Sequence, residues 1–99
     1  MDYENYLSGN LIKQFCLRNH IAKLFFFGSI TQNDFGPASD IDVLVEFNEG
    51  HTPGFNFFLM EAELCRVLGR KVNLHTLPFI NPDIRTSVMS EAVPVYEQA

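Results

Sequence analysis

Leu24-Phe25-Phe26-Phe27-Gly28-Ser29 is an apolar run that stops on a glycine, and after ten intervening residues the chain resumes as Asp40-Ile41-Asp42-Val43-Leu44-Val45-Glu46-Phe47. Extended back to Ile21, the first segment is short, aromatic-rich and closed by a breaker, which predicts a buried strand over 21–27. The second alternates with a period of two. Ile41, Val43, Val45 and Phe47 share one face of a strand over 40–47; Asp40, Asp42, Leu44 and Glu46 share the other. The apolar sides of such strands need helices against them, and the flanking segments supply these. Leu7, Leu11, Ile12, Phe15 and Cys16 recur at helical spacing and predict an amphipathic helix over about 4–19. Phe57, Met60, Leu64, Cys65 and Leu68 mark a second helix over about 55–68, which Gly69 ends, with Arg66 and Arg70 complementing its negative pole. Ser29 opens a short helical turn, Asn33 to Ser39 reads as loop, Lys71 to His75 as a third strand, and 83–92 as a last helix ending before Pro94. Helix–strand–strand–helix–strand–helix without repeats predicts one α/β (α+β) domain over 1–99, with helices packed on a sheet.

Composition narrows the partners. Twelve acidic residues against seven basic ones leave a net charge of −5, and Lys and Arg form no cluster, so direct gripping of nucleic acid is not expected. Ten phenylalanines and no tryptophan predict an aromatic-rich core or an apolar contact surface. The longest uninterrupted apolar runs, Leu24 to Phe27 and Phe57 to Met60, are too short to cross a membrane. Met1-Asp2-Tyr3-Glu4 is acidic where a signal peptide is basic. Cys16 and Cys65 lack the spacing of a disulfide framework or a zinc site, and both are expected to be reduced and buried in a cytoplasmic protein.

The chemistry sits between the first two strands. Asp40 and Asp42, at i and i+2, point to one face with Cα atoms roughly 6.6–6.8 Å apart, so both carboxylates can reach one divalent ion. Hard oxygens in a charged pair are what Mg²⁺ takes while it also holds substrate phosphates. Gly28 lets backbone come close to a phosphate, and Ser29 adds a hydroxyl at the start of a helical turn. Taken singly, each piece has a plainer reading. Ser29 with Gln32 forms a capping box, Gly28 is a turn residue, and Asp-x-Asp is a solvated strand edge.

In combination, Leu24-Phe25-Phe26-Phe27-Gly28-Ser29 followed by Ser39-Asp40-Ile41-Asp42-Val43-Leu44-Val45-Glu46-Phe47 resembles the nucleotidyltransferase motif of the DNA polymerase beta superfamily. More narrowly, the chain is similar to the minimal nucleotidyltransferases (MNT domains) that bacteria and archaea encode beside HEPN-domain proteins. The similarity continues through His51-Thr52-Pro53-Gly54-Phe55, Leu68-Gly69-Arg70-Lys71-Val72 and Glu91-Ala92-Val93-Pro94-Val95-Tyr96, almost the whole chain. The resemblance implies the nucleotidyltransferase fold, a mixed β-sheet flanked by helices, and Mg²⁺-dependent transfer of a nucleoside monophosphate from an NTP. Some members of this toxin–antitoxin type adenylylate a HEPN toxin and silence it. Carried over by position, Gly28 and Ser29 would hold the triphosphate of ATP, and Asp40 and Asp42 would ligate the metals, two ions a few ångströms apart that stabilise the attacking and leaving oxygens. The resemblance also marks two departures. Gln32 stands where the family places an arginine suited to phosphate. Asn73 stands where it places a third carboxylate, which ligates metal and serves as base. An amide cannot accept a proton at neutral pH as a carboxylate does.

Three functions follow as alternatives: AMP transfer to a hydroxyl of a HEPN-domain partner, neutralisation of that partner by contact alone with a degenerate site, or transfer to a small molecule. The remaining polar and aromatic residues are read plainly. His75 shares the strand face of Asn73 and reads as a surface or hydrogen-bonded residue rather than a metal ligand. Glu46, roughly 13 Å along its strand from Asp40, is solvated or structural. His51 is a polar loop residue, and Phe55, Phe57, Phe58 and Phe79 are core by default, with an exposed contact patch as the other option. Lys71 joins Arg66 and Arg70 as a complement to the helix dipole rather than a phosphate site.

Overall fold

The computed structural model describes residues 10–31, 36, 38–51, 53–76 and 82–98. Alternation and helical spacing resolve into α1 (Leu11–Arg18), β1 (Ile21–Phe27), a 3₁₀ turn (Gly28–Thr31), β2 (Ile41–Phe47), α2 (Asn56–Leu68), β3 (Val72–Thr76), α3 (Pro82–Glu91) and β4 (Val93–Glu97). The four strands form one mixed sheet in the order β3-β2-β1-β4. β1 pairs antiparallel with β2 and with β4, while β2 and β3 run parallel.

The helix-covered face of this sheet is the core. Leu24 and Phe26 of β1, Ile41, Val43 and Val45 of β2, and Val72 and Leu74 of β3 share it with Ile12, Phe15 and Cys16 of α1 and Met60, Leu64 and Leu68 of α2. Full burial of a side chain such as Phe26 contributes about 1.5–3 kcal/mol relative to leaving it exposed. Leu44 is buried too, from the opposite face. α2 ends as its sequence predicts: Gly69 is left-handed (φ 69°) and its N–H donates to the Cys65 carbonyl at 2.8 Å.

α2 also guards the exposed edge of β3. The Val72 N–H donates to Cys65 Sγ at 3.3 Å, and the Leu74 N–H to Glu61 Oε2 at 2.9 Å. Positions i and i+4 of the helix thus meet i and i+2 of the strand, covering donors that would otherwise invite another chain. Cys65 is half-buried there, against the expectation of full burial.

One strand escapes the sequence reading. Val93-Pro94-Val95-Tyr96-Glu97 contains a proline, which argues against a central strand. β4 lies at the sheet edge, and its ladder with β1 shifts register between Leu24 and Phe25, opposite Pro94. There a residue without an N–H is tolerated. Residues 4–9 of the expected first helix, together with Gln32 and Phe79, lie outside the described residues.

Candidate active site

β1 runs into its 3₁₀ turn where β2 begins, and the register sets Phe27 beside Asp42. Gly28 stands at that junction with φ 75°, in the left-handed region that L side chains rarely adopt. A Cβ on Gly28 would collide with Asp42 Oδ2. The backbone therefore favours glycine, and a larger residue would also have to displace the Asp42 carboxylate. The Ser29 hydroxyl lies 3.4 Å from the Asp40 carbonyl, so it faces the carboxylate strand, and the Thr31 hydroxyl donates to the Gly28 carbonyl at 2.8 Å to close the turn.

The other wall is β3, whose Asn73 is the direct neighbour of Asp42. Asn73 Nδ2 donates to Asp40 Oδ2 at 3.2 Å and to Asp42 Oδ1 at 3.2 Å. With the amide nitrogen facing two carboxylates, the amide oxygen points away from both, which avoids repulsion. Lys71 Nζ lies 3.8 Å from Asp40 Oδ2 and His75 Nε2 3.7 Å from Asp42 Oδ1. Lys71, Asn73 and His75 sit at i, i+2 and i+4, so one row of the strand addresses one oxygen of each carboxylate. The His75 ring also meets Phe27 edge-on, with centroids 5.3 Å apart. Both carboxylates remain open to solvent, Asp40 at 37% and Asp42 at 29% side-chain exposure. At that exposure the 3.8 Å contact with Lys71 is a weak surface pair.

Arg70 holds the approach to the pair. Its Nη2 donates to the Gly36 carbonyl at 2.7 Å and also to the Ser39 carbonyl. The Ser39 N–H returns to the Gly36 carbonyl at 3.0 Å, and the Ile41 N–H donates to the Lys71 carbonyl at 2.9 Å. The segment that leads into Asp40 is thereby tied to the end of α2 and the start of β3. The expected role of Arg70 as a complement to the helix pole is corrected accordingly: this guanidinium positions a loop. Lys71 likewise faces Asp40 rather than serving the helix alone.

The structure thus brings Gly28, Ser29, Asp40, Asp42, Asn73 and His75 together. It leaves Glu46 further along β2, opposite Lys23, and stacks His51 on His20 with ring centroids 4.1 Å apart. Phe57 packs on the core as expected, against Phe47, but Phe55 and Phe58 do not: they are 92% and 71% exposed. They rim a cavity of about 560 Å³ together with Phe47, Pro53, Gly54, Phe57 and Thr76. Burial pushes the Cys16 thiol up to about 12, so it stays protonated and inert inside the core.

Among the described residues, no group of three or more His, Cys, Asp or Glu side chains converges to hold a metal ion. The donors that do converge, two carboxylates open to solvent, suit a single Mg²⁺ that completes its shell with water and substrate phosphates. Asn73 can add only a neutral carbonyl oxygen, and only by turning its amide over.

A sequence model of the nucleotidyltransferase domain matches residues 9–95. A candidate protein adenylyltransferase of Methanocaldococcus jannaschii, MJ0435, is 35% identical over 79 residues, which span 80% of this chain and 84% of the relative. Among solved structures, a toxin–antitoxin with AMP-PNP superposes with a TM-score of 0.74 at 20% identity, covering 90% of this chain and 73% of that one. The complex of tri-AMPylated Shewanella oneidensis HEPN toxin with MNT antitoxin gives a TM-score of 0.69 at 16% identity, covering 96% and 72%. At these identities the structural likeness concerns the fold.

Proposed function

This chain belongs to the nucleotidyltransferase domain family, and from that premise we propose that it transfers AMP from ATP to a hydroxyl of a HEPN-domain partner protein. The observation that carries the reading is the convergence of Gly28 and Ser29 with Asp40 and Asp42 where β1 ends and β2 begins. Gly28 leaves space for the Asp42 carboxylate and for a phosphate beside it. The Ser29 hydroxyl turns from the Asp40 carbonyl to the triphosphate. Asp40 and Asp42 would hold Mg²⁺, which would supply the positive charge that stabilises in-line phosphoryl displacement. The acceptor oxygen bonds to the α-phosphorus as the bond to pyrophosphate breaks, and the hydroxyl proton passes to solvent water, to which the site is open. Asn73 takes no proton in this step, which lowers the rate by about 10²–10⁴ relative to a site with a carboxylate base.

The nucleotide and the partner are chosen on likeness. The relative MJ0435 carries the name of a protein adenylyltransferase, one structural neighbour is a toxin–antitoxin with AMP-PNP, and another pairs an MNT antitoxin with an AMPylated HEPN toxin. Mass spectrometry of the partner after incubation with this chain, ATP and Mg²⁺ tests the proposal. An added AMP on a hydroxyl-bearing residue is expected. An unmodified partner in the presence of a folded, bound chain would count against it.

Asn73 favours a second reading, because its amide already satisfies both carboxylates. In that reading the chain neutralises its partner by contact. Replacing both Asp40 and Asp42 by Ala would then leave neutralisation intact, whereas AMP transfer requires that it be lost.

A further inference from the structure

Two half-exposed carboxylates two positions apart on one face repel each other, and something must hold them side by side. Here Asn73 does so, with one amide nitrogen 3.2 Å from an oxygen of each. Lys71 and His75 face the same two oxygens, Asp40 Oδ2 and Asp42 Oδ1, from either side. The remaining oxygen of Asp42, Oδ2, packs on Gly28. Asn73 therefore already donates to one oxygen of each carboxylate, Asp40 Oδ2 and Asp42 Oδ1, that the pair would offer to a shared cation.

We propose that Asn73 makes metal binding conditional on nucleotide: its amide occupies the shared position between Asp40 and Asp42, so these carboxylates accept a divalent ion only when nucleotide phosphates contribute ligands. The inference rests on the reading of Asp40 and Asp42 as the metal-holding pair. Taking up an ion requires Asn73 to give up two charge-assisted hydrogen bonds and to turn its amide or withdraw. Mg²⁺ surrenders its own water reluctantly, so two carboxylates alone do not overcome that loss. Added phosphate oxygens do. An aspartate at 73 would behave in the opposite way. It donates nothing to the pair, adds a third negative charge, and so favours the ion without nucleotide while weakening the metal-free fold.

Thermal unfolding of the whole chain reads this without any assay of activity. For wild type, Mg²⁺ alone is expected to leave the midpoint unchanged, and Mg²⁺ with AMP-PNP to raise it by about 4–8 °C. For Asn73→Asp, Mg²⁺ alone is expected to raise the midpoint by a similar amount from a lower metal-free value. A wild-type midpoint that rises with Mg²⁺ alone as far as that of the variant overturns the proposal. Should Asn73→Asp fail to fold without metal, Asn73→Ala removes the amide and adds no charge. Titration with Mn²⁺, followed by loss of the free-ion electron paramagnetic resonance signal, should then show binding about tenfold tighter than wild type (about 1.4 kcal/mol). Equal affinities would overturn the proposal. A failure of AMP-PNP to shift any variant, with or without metal, would remove the catalytic reading and the nucleotide dependence with it; the metal-only arms still judge whether Asn73 excludes the ion.

Discussion

Residues one position apart on β2 and β3 live in different surroundings. Ile41, Val43 and Val45, with Val72 and Leu74, are buried under α1 and α2 at 6% exposure or less. Asp42, Asn73 and His75, on the alternate positions, line the opposite face and make polar contacts with one another. The first face contains no buried polar or charged residue among those described; the second holds two carboxylates balanced by donors from one strand. The protein thus separates what stabilises it from what it uses. Substitutions on the two faces should move different observables, and Gly28, where the faces meet, should move both.

The largest expected effect is chemical. Asp42→Asn should lower AMP transfer by about 10²–10³ while changing stability by no more than about 0.5 kcal/mol, since it removes a charge without opening a cavity. Denaturant unfolding beside a transfer assay checks both halves, and a large loss of stability would break the separation of faces. Next is Phe26→Ala on the other face, fully buried between sheet and helices. It should cost about 3–5 kcal/mol in urea unfolding. A variant still folded at low temperature should retain AMP-PNP binding.

Gly28→Ala comes third. It forces a side chain into a left-handed backbone and against Asp42 Oδ2, and should cost about 1–3 kcal/mol along with most of the transfer activity. Unchanged activity would show that the Asp42 carboxylate need not sit where it does. The last effect concerns Cys16. Its thiol is raised from 9.0 to about 12 by burial, so its contribution is complete below the unfolded value and declines as pH rises through the folded one. Stability should therefore fall from about pH 9 towards pH 12, and Cys16→Ser should flatten that part of the profile. In the folded protein, alkylation should reach Cys65 before Cys16.

Much of this separation was legible in the sequence, because alternation over 40–47 by itself assigns each residue to a face. The Gly28-Ser29 turn and the Asp40-Asp42 pair were legible for the same reason: both lie at strand ends whose positions the apolar runs announce. What was not legible depends on contacts distant along the chain. Arg70 reaches carbonyls 34 and 31 residues earlier, and nothing in its neighbours distinguishes such a clasp from a helix-end charge. Asn73 was visible as a lost carboxylate, but its role as a donor to both aspartates required the parallel register of β2 and β3. β4 was hidden by Pro94, whose tolerance depends on an edge position that only the sheet order reveals. Phe55 and Phe58 misled in the other direction, since aromatic residues flanking a helix start read as core until their exposure is seen.

The central claim is that Asp40 and Asp42 form a working nucleotidyltransferase site with Gly28 and Ser29. Single-turnover transfer from labelled ATP to the HEPN-domain partner, with Mg²⁺ in excess, tests it most directly. Wild type should label the partner, and Asp40→Asn with Asp42→Asn, confirmed as folded and partner-bound, should not. Equal labelling by the two proteins, or labelling that appears only after Asn73→Asp, would contradict it.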